Sequence, residues 1–110
     1  MTCTALAVCL LLTPSSITDG GTFRVGDLRV RMWGIEAPEQ GQPGASESTA
    51  ALEALIGSDR LRCEVKDVDR DGHTVARCWL PDGRDLACEM VRQGQAEDWP
   101  RYSGGAYSEC

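Results

Sequence analysis

Lysine, histidine and phenylalanine are nearly missing from this chain of 110 residues: Lys66, His73 and Phe23 are the single copies. One histidine leaves little scope for a zinc centre. Spacings of fifteen and ten residues between Cys63, Cys78 and Cys88 match none of the usual zinc patterns either. The run of apolar residues 5–12 is far too short to cross a bilayer, so no membrane span is expected. No internal repeat or low-complexity segment is present. Positive charge is also in deficit, with 17 acids against 11 bases and a formal net charge of −6. A polyanion is repelled at long range by such a chain, so a nucleic-acid partner would require a local basic patch. Twelve glycines beside one Phe favour many turns and short strands over long helices.

What is there suits one small domain, expected to be monomeric. A chain of this length buries somewhat under ~70% of its unfolded surface, which allows one modest core. Apolar residues make up 42% and charged ones 25%, ordinary for a soluble globular protein. Six cysteines, an even number, invite a disulfide reading. The run 5–12, followed by Thr13, Pro14 and two serines, fits the apolar middle and polar exit of an export signal, although no Lys or Arg precedes it. On that reading residues 1–15 are a signal remnant whose basic beginning lies upstream, residues 16–110 are the domain, and the protein is periplasmic or secreted. The other reading is a buried first strand in a cytoplasmic protein.

After the turn cluster Asp19-Gly20-Gly21, two strands, 22–25 and 28–35, flank the hairpin dipeptide Gly26-Asp27. In the second, Leu28, Val30, Met32 and Gly34 share one face, and Arg29, Arg31, Trp33 and Ile35 the other. A loop rich in Pro and Gly leads to a helix over 45–57, with Ala51, Leu52, Leu55 and Ile56 at helical spacing and Gly57 as its stop. Residues 61–68 alternate cleanly and pair with 73–80. If 69–72 make the loop, Val68 faces His73 and Cys63 faces Cys78, close enough for a bridge. Cys88 then pairs with Cys110 by default, and free thiols fit that second pair equally well. Asp85 reads as the N-cap of a second helix, with Leu86, Met90 and Val91 inward and Gly94 as its stop. Residues 95–110 read as irregular.

Asp19, Glu36 and Glu39 stand near strand ends, and Arg31 lies on the strand between them. Carboxylates so placed can hold a hard cation such as calcium. An arginine among them can grip a phosphate, and a carboxylate can activate water for attack on phosphorus. Taken alone the set is also what a solvated strand surface looks like.

The order of motifs adds more. D-G-G-T at 19–22, V-R-M-W-G-I-E-A-P-E at 30–39, Gly44 with Ala51 in the helix, D-R-D-G at 69–72 and V-R-Q-G-Q-A at 91–96 together resemble the staphylococcal nuclease-like (thermonuclease) family, and the cysteine-flanked hairpin with W-P-R-Y-S-G-G-A-Y at 99–107 resembles its exported bacterial members. The resemblance covers roughly residues 16–107. It implies an α+β, mainly β fold: a five-stranded OB-fold Greek-key barrel with two short helices, the family's third helix being absent from a chain that stops at Cys110. It also implies calcium-dependent hydrolysis of nucleic-acid phosphodiester bonds. Arg31 matches the arginine that steadies the attacked phosphate, and Glu39 the general base. Asp19 and Glu36 match the acids beside calcium, the latter standing where the family has Asp. Trp99 and Tyr102 fall where aromatics meet the nucleotide.

Two positions depart from that pattern. Gly21 replaces an acid that ligates calcium, and His73, itself a candidate catalytic proton donor, replaces a catalytic arginine. Affinity for calcium follows ligand charge, so the cation site is expected to be weakened. Transition-state contacts of this kind are worth about 3 kcal/mol each. The expectation is therefore weak or lost nuclease activity, with a non-catalytic OB-fold module for single-stranded nucleic acid or a protein as the alternative. Arg60, Arg62 and Arg70, with Lys66, are candidates for a basic patch, though a scattered solvated face is the plainer reading.

Overall fold

The computed structural model describes residues 8–110. The first seven residues, which include part of the apolar run and Cys3, lie outside the described residues. Eight strands and three helices follow in chain order: β1 (Cys9–Leu12), β2 (Ser16–Asp19), β3 (Thr22–Val25), β4 (Leu28–Met32), β5 (Ile35–Glu36), α1 (Ala45–Ile56), β6 (Leu61–Val68), β7 (Thr74–Trp79), α2 (Leu86–Arg92), β8 (Glu97–Asp98) and α3 (Pro100–Ser103). A curled six-stranded sheet takes the order β1-β6-β7-β4-β3-β2, with only the β4–β7 pair parallel, and β5 pairs with β8 separately. The result is a mainly β, OB-like α+β fold.

Five contiguous strands of the sheet match the number expected, and β1 adds a sixth along β6, upstream of the boundary expected at Ser16. Leu12 is buried there, while Leu11 stays 58% exposed. A single-turn helix, α3, brings the helices to three, and together with β8 it gives order to a segment expected to be irregular.

The expected strand 28–35 is interrupted. Gly34 has φ +84°, in the left-handed region that glycine enters without steric cost. A Cβ at Gly34 would meet Tyr107 Cε2 at 2.9 Å and Ser103 Cβ at 3.0 Å. The turn carries Ile35 from the outer face, where simple alternation puts it, to the core, where it is 3% exposed.

The β6–β7 hairpin reaches the expected cysteine register by a different route. Pairing starts at Val68 and Thr74, so the loop is one residue longer than expected. An irregularity between Val65 and Asp67 leaves Lys66 as an extra residue on β6, and Cys63 comes opposite Cys78 after all. Disulfides join Cys63 to Cys78 and Cys88 to Cys110. Cys9 is also disulfide-bonded, and no cysteine is free among the described residues.

Helix α2 begins as its sequence suggests, with Asp85 Oδ1 accepting from the Ala87 N–H at 3.0 Å and the Cys88 N–H at 3.3 Å. Its other oxygen does more than cap. Oδ2 accepts from Arg77 Nε at 2.7 Å and from the Tyr107 hydroxyl at 3.1 Å. Tyr107 is 1% exposed and meets Trp33 edge-on, with ring centroids 5.9 Å apart. Burial, and then the charge of Asp85, push the Tyr107 phenol well above its ordinary value of 10.0. Burial alone would lower the Arg77 pKa, but the hydrogen bond and charge of Asp85 outweigh it and raise it.

The Tyr107 shift fixes a pH dependence. A raised folded pKa gives a contribution that is complete below pH ~10 and lost as pH climbs past it, because only the unfolded phenol ionises there. Urea unfolding should lose up to about 1.4 kcal/mol per pH unit above pH 10 from this group. Tyr107→Phe is expected to remove that part of the slope; an equally steep slope in the variant would contradict the assignment.

Candidate active site

The expected acids and arginine meet at one end of the sheet. Asp19 closes β2, and its Oδ1 accepts from the Gly21 N–H at 2.8 Å, which shapes the turn into β3. The Met32 N–H donates to the Gly21 carbonyl at 2.8 Å and ties that turn to β4. Thr22 lies opposite Arg31 across β3 and β4. Beyond the break at Gly34, β5 presents Glu36, and the loop after it folds back. There the Glu39 N–H donates to Gln42 Oε1 at 2.8 Å, the Gln42 N–H donates to the Glu39 carbonyl at 2.9 Å, and Gln40 Nε2 donates to the Thr18 carbonyl at 3.2 Å. Asp19, Gly21, Thr22, Arg31, Glu36, Ala37, Glu39 and Gln42 thereby line one cavity of about 180 Å³.

Arg31 is shared with a second cavity of about 370 Å³, whose walls include Trp33, Lys66, Asp67, Asp69, Arg70, Trp99 and Tyr102. The Arg31 guanidinium lies 5.5 Å from the centre of the Trp99 ring, and Trp99 and Tyr102 meet edge-on at 4.4 Å. Tyr102 is 54% exposed, a large apolar surface facing the slot. Lys66, the extra residue on β6, sits 4.9 Å from the Trp33 ring centre. Of the four residues weighed as a basic patch, Lys66 and Arg70 border this slot, whereas Arg60 and Arg62 line a separate cavity with Leu11 and Trp79.

His73 is not among the residues lining either cavity. Its Nδ1 is 3.1 Å from Asp69 Oδ2 and its Nε2 is 3.0 Å from Arg29 Nη1. A guanidinium only donates, so Nε2 accepts and Nδ1 carries the hydrogen that faces Asp69. Asp69 also accepts from the backbone of Asp71 and His73. Desolvation, the largest single influence, works the other way, but these bonds and the neighbouring His73 together prevail and hold its carboxyl below the usual range. Asp69, Asp71 and His73 bring three ligand atoms within 4.8 Å of one another. The bonds just described already employ Asp69 and both ring nitrogens, so the cluster serves to build the hairpin loop.

The donor set at the first cavity is all oxygen: the carboxylates of Asp19, Glu36 and Glu39, the Ala37 carbonyl, and the Thr22 and Gln42 side chains. Hard oxygens in that number fit calcium rather than a soft transition metal. Glu36 and Glu39 have no hydrogen-bond or ion-pair partner for their carboxylates among the described residues, which leaves them free for a cation or a water.

The two glycines of the turn differ in kind. A Cβ on Gly20 would collide with Ser48, whose hydroxyl donates to the Gln95 carbonyl at 2.8 Å and joins α1 to the segment before β8. A Cβ on Gly21 would find ordinary contacts, Ala37 Cβ at 3.6 Å and Asp19 Oδ1 at 3.7 Å, and its φ is not positive. Gly20 is therefore required by packing, whereas Gly21 leaves open space beside the acids. Sequence reasoning missed Gln42, which no pattern marks, and Tyr107, whose neighbour Gly34 was the available signal: a glycine inside a strand pattern points to a close approach.

The OB-like domain thus carries an arginine and three acids around one cleft, next to an aromatic slot. The family model described as Staphylococcal nuclease homologue matches residues 29–108, and the chain belongs to that family. A succinoglycan biosynthesis protein, ExoI, of Rhizobium meliloti (strain 1021) is 32% identical over 111 residues, covering 91% of this chain and 58% of its own. An uncharacterized endonuclease of Escherichia coli O157:H7 is 30% identical over 91 residues, covering 79% of this chain and 60% of its own. The probable staphylococcal-like nuclease CAN2 of Oryza sativa subsp. japonica is 34% identical over 74 residues, 67% of this chain and 20% of its own. The chain thus spans no more than about six tenths of the length of these relatives.

The glycine contrast is directly testable. Gly21→Asp should fold with a melting temperature close to the parent's and bind calcium on the order of tenfold more tightly by titration calorimetry. Gly20→Ala should cost about 1–3 kcal/mol in denaturant unfolding. Equal effects on stability from the two would refute the packing argument.

Proposed function

We propose that the domain is a metal-assisted nuclease with a depleted cation site, acting on nucleic-acid strands. The observation that carries this reading is the cavity shared by Arg31 with Asp19, Glu36 and Glu39, continuous through Arg31 with the aromatic slot. Arg31 neutralises the attacked phosphate, a role its planar fork of donors suits. Glu39 takes the proton of the attacking water, its carboxylate being unpartnered and its backbone held by Gln42. Asp19 and Glu36, with the Ala37 carbonyl, would hold calcium, which when bound polarises the phosphoryl oxygen. The base beside the cleaved bond stacks on Trp99 and Tyr102.

Gly21 removes one anion from the calcium ligands, and His73, turned to Asp69 and Arg29, supplies no second arginine at its position. Slow turnover follows. Two disulfides among the described residues support export to an oxidising compartment. No described helix is long and apolar enough to cross a membrane.

Single-stranded DNA incubated with the oxidised protein should be cut slowly with calcium and not with chelator. Gly21→Asp, His73→Arg should raise the rate by about 10²-fold or more, less than the product of two independent gains. Arg31→Gln should abolish cleavage by both proteins. Strand binding without cleavage by either protein would instead mark a non-catalytic binding module.

A further inference from the structure

Three arginines on neighbouring strands share the outer face of the sheet. Arg24 on β3 lies directly opposite Arg29 on β4, and Arg31 is two residues further along β4. None of the three forms an ion pair with a carboxylate among the described residues, although acids outnumber bases in the chain by 17 to 11. Arg77, Arg84 and Arg92, by contrast, each have an acid as partner. Arg29 is held by a ring nitrogen instead: His73 Nε2 accepts from its Nη1 at 3.0 Å, and Asp69 steadies the ring from the other side at 3.1 Å.

Like charges placed directly opposite across an antiparallel pair are destabilising, and here no acid offsets Arg24 against Arg29. An anion is the complement that relieves the repulsion. Residues two apart on a strand are separated by ~7 Å, close to the step between successive phosphates of an extended strand. The row begins at Arg31, which already faces the cleavage cavity.

We infer that Arg24 and Arg29 form a second phosphate subsite, gripping the backbone of a single nucleic-acid strand next to the phosphate held by Arg31. The inference rests on the nuclease reading and names its substrate as a strand rather than a mononucleotide. It also supplies the local positive charge that a chain of net charge −6 needs to hold a polyanion. His73 is a positioning residue for Arg29.

The test measures binding in chelator, where nothing is cut, of an eight-residue oligothymidylate, thymidine 5′-monophosphate and an octaglutamate peptide. Arg24→Gln, Arg29→Gln should weaken oligothymidylate binding roughly tenfold at low salt. It should lower the salt slope by about 0.7, the amount for one phosphate of a single strand that is no longer neutralised, and leave the monophosphate unaffected. Arg24→Lys, Arg29→Lys should keep the parent's slope, which a folding defect would not allow. If Arg31→Gln weakens the oligomer while the double glutamine variant matches the parent in affinity and slope, this subsite is refuted and the nuclease reading stands. If the parent binds no oligomer, both fall. If octaglutamate binds as tightly as oligothymidylate and weakens as much in the double glutamine variant, the patch attracts any polyanion and the strand subsite is overturned.

Discussion

The Asp85 carboxylate is where the fold is held together. It is nearly buried, with 12% of its side chain exposed, and four donors converge on it: two N–H groups of α2, the Arg77 guanidinium and the Tyr107 hydroxyl. A buried charge is tolerable only when paired and hydrogen-bonded to this degree. Through those bonds one side chain joins β7, α2 and the last ten residues of the chain. Tyr107 carries the constraint onward, because its ring fills the space a side chain at position 34 would need. The turn at Gly34 separates β4, which bears Arg31, from β5, which bears Glu36. The cleft therefore depends on a network that contains none of its own residues. The Cys88–Cys110 bridge pins the same segment to α2 and closes a loop whose cross-link is worth about 3 kcal/mol.

Charge is distributed with a purpose visible only in space. Acids prevail overall, yet guanidiniums collect on the outer face of β3 and β4, while Lys66 and Arg70 border the aromatic slot. Arg31 stands where the two neighbourhoods join, with acids on one side and Trp99 on the other. Gly21 is the weak point, a turn position where neither backbone conformation nor packing demands glycine.

Much of this was legible in one dimension, because it depends on neighbours along the chain. The Gly26-Asp27 turn, the Asp85 cap and the apolar spacing of α1 are local, and they appear where propensity puts them. The Cys63–Cys78 pairing was legible for a partly wrong reason, since a longer loop and the extra residue at Lys66 cancel in the register. Local rules count residues in a turn well but do not foresee a bulge, which is decided by twist and by what the displaced side chain meets.

Sequence by itself determined the family, the placing of β3, β6 and β7, and the choice of Asp19, Arg31, Glu36 and Glu39 as candidates, because motif order and period-two patterning are written in neighbouring residues. Tertiary structure alone decided that Ile35 turns inward and that His73 faces Arg29 instead of the cleft. Each of these hangs on contacts between segments far apart in the chain. Such contacts are fixed by which surfaces can be buried together, and no window of sequence contains both sides of them.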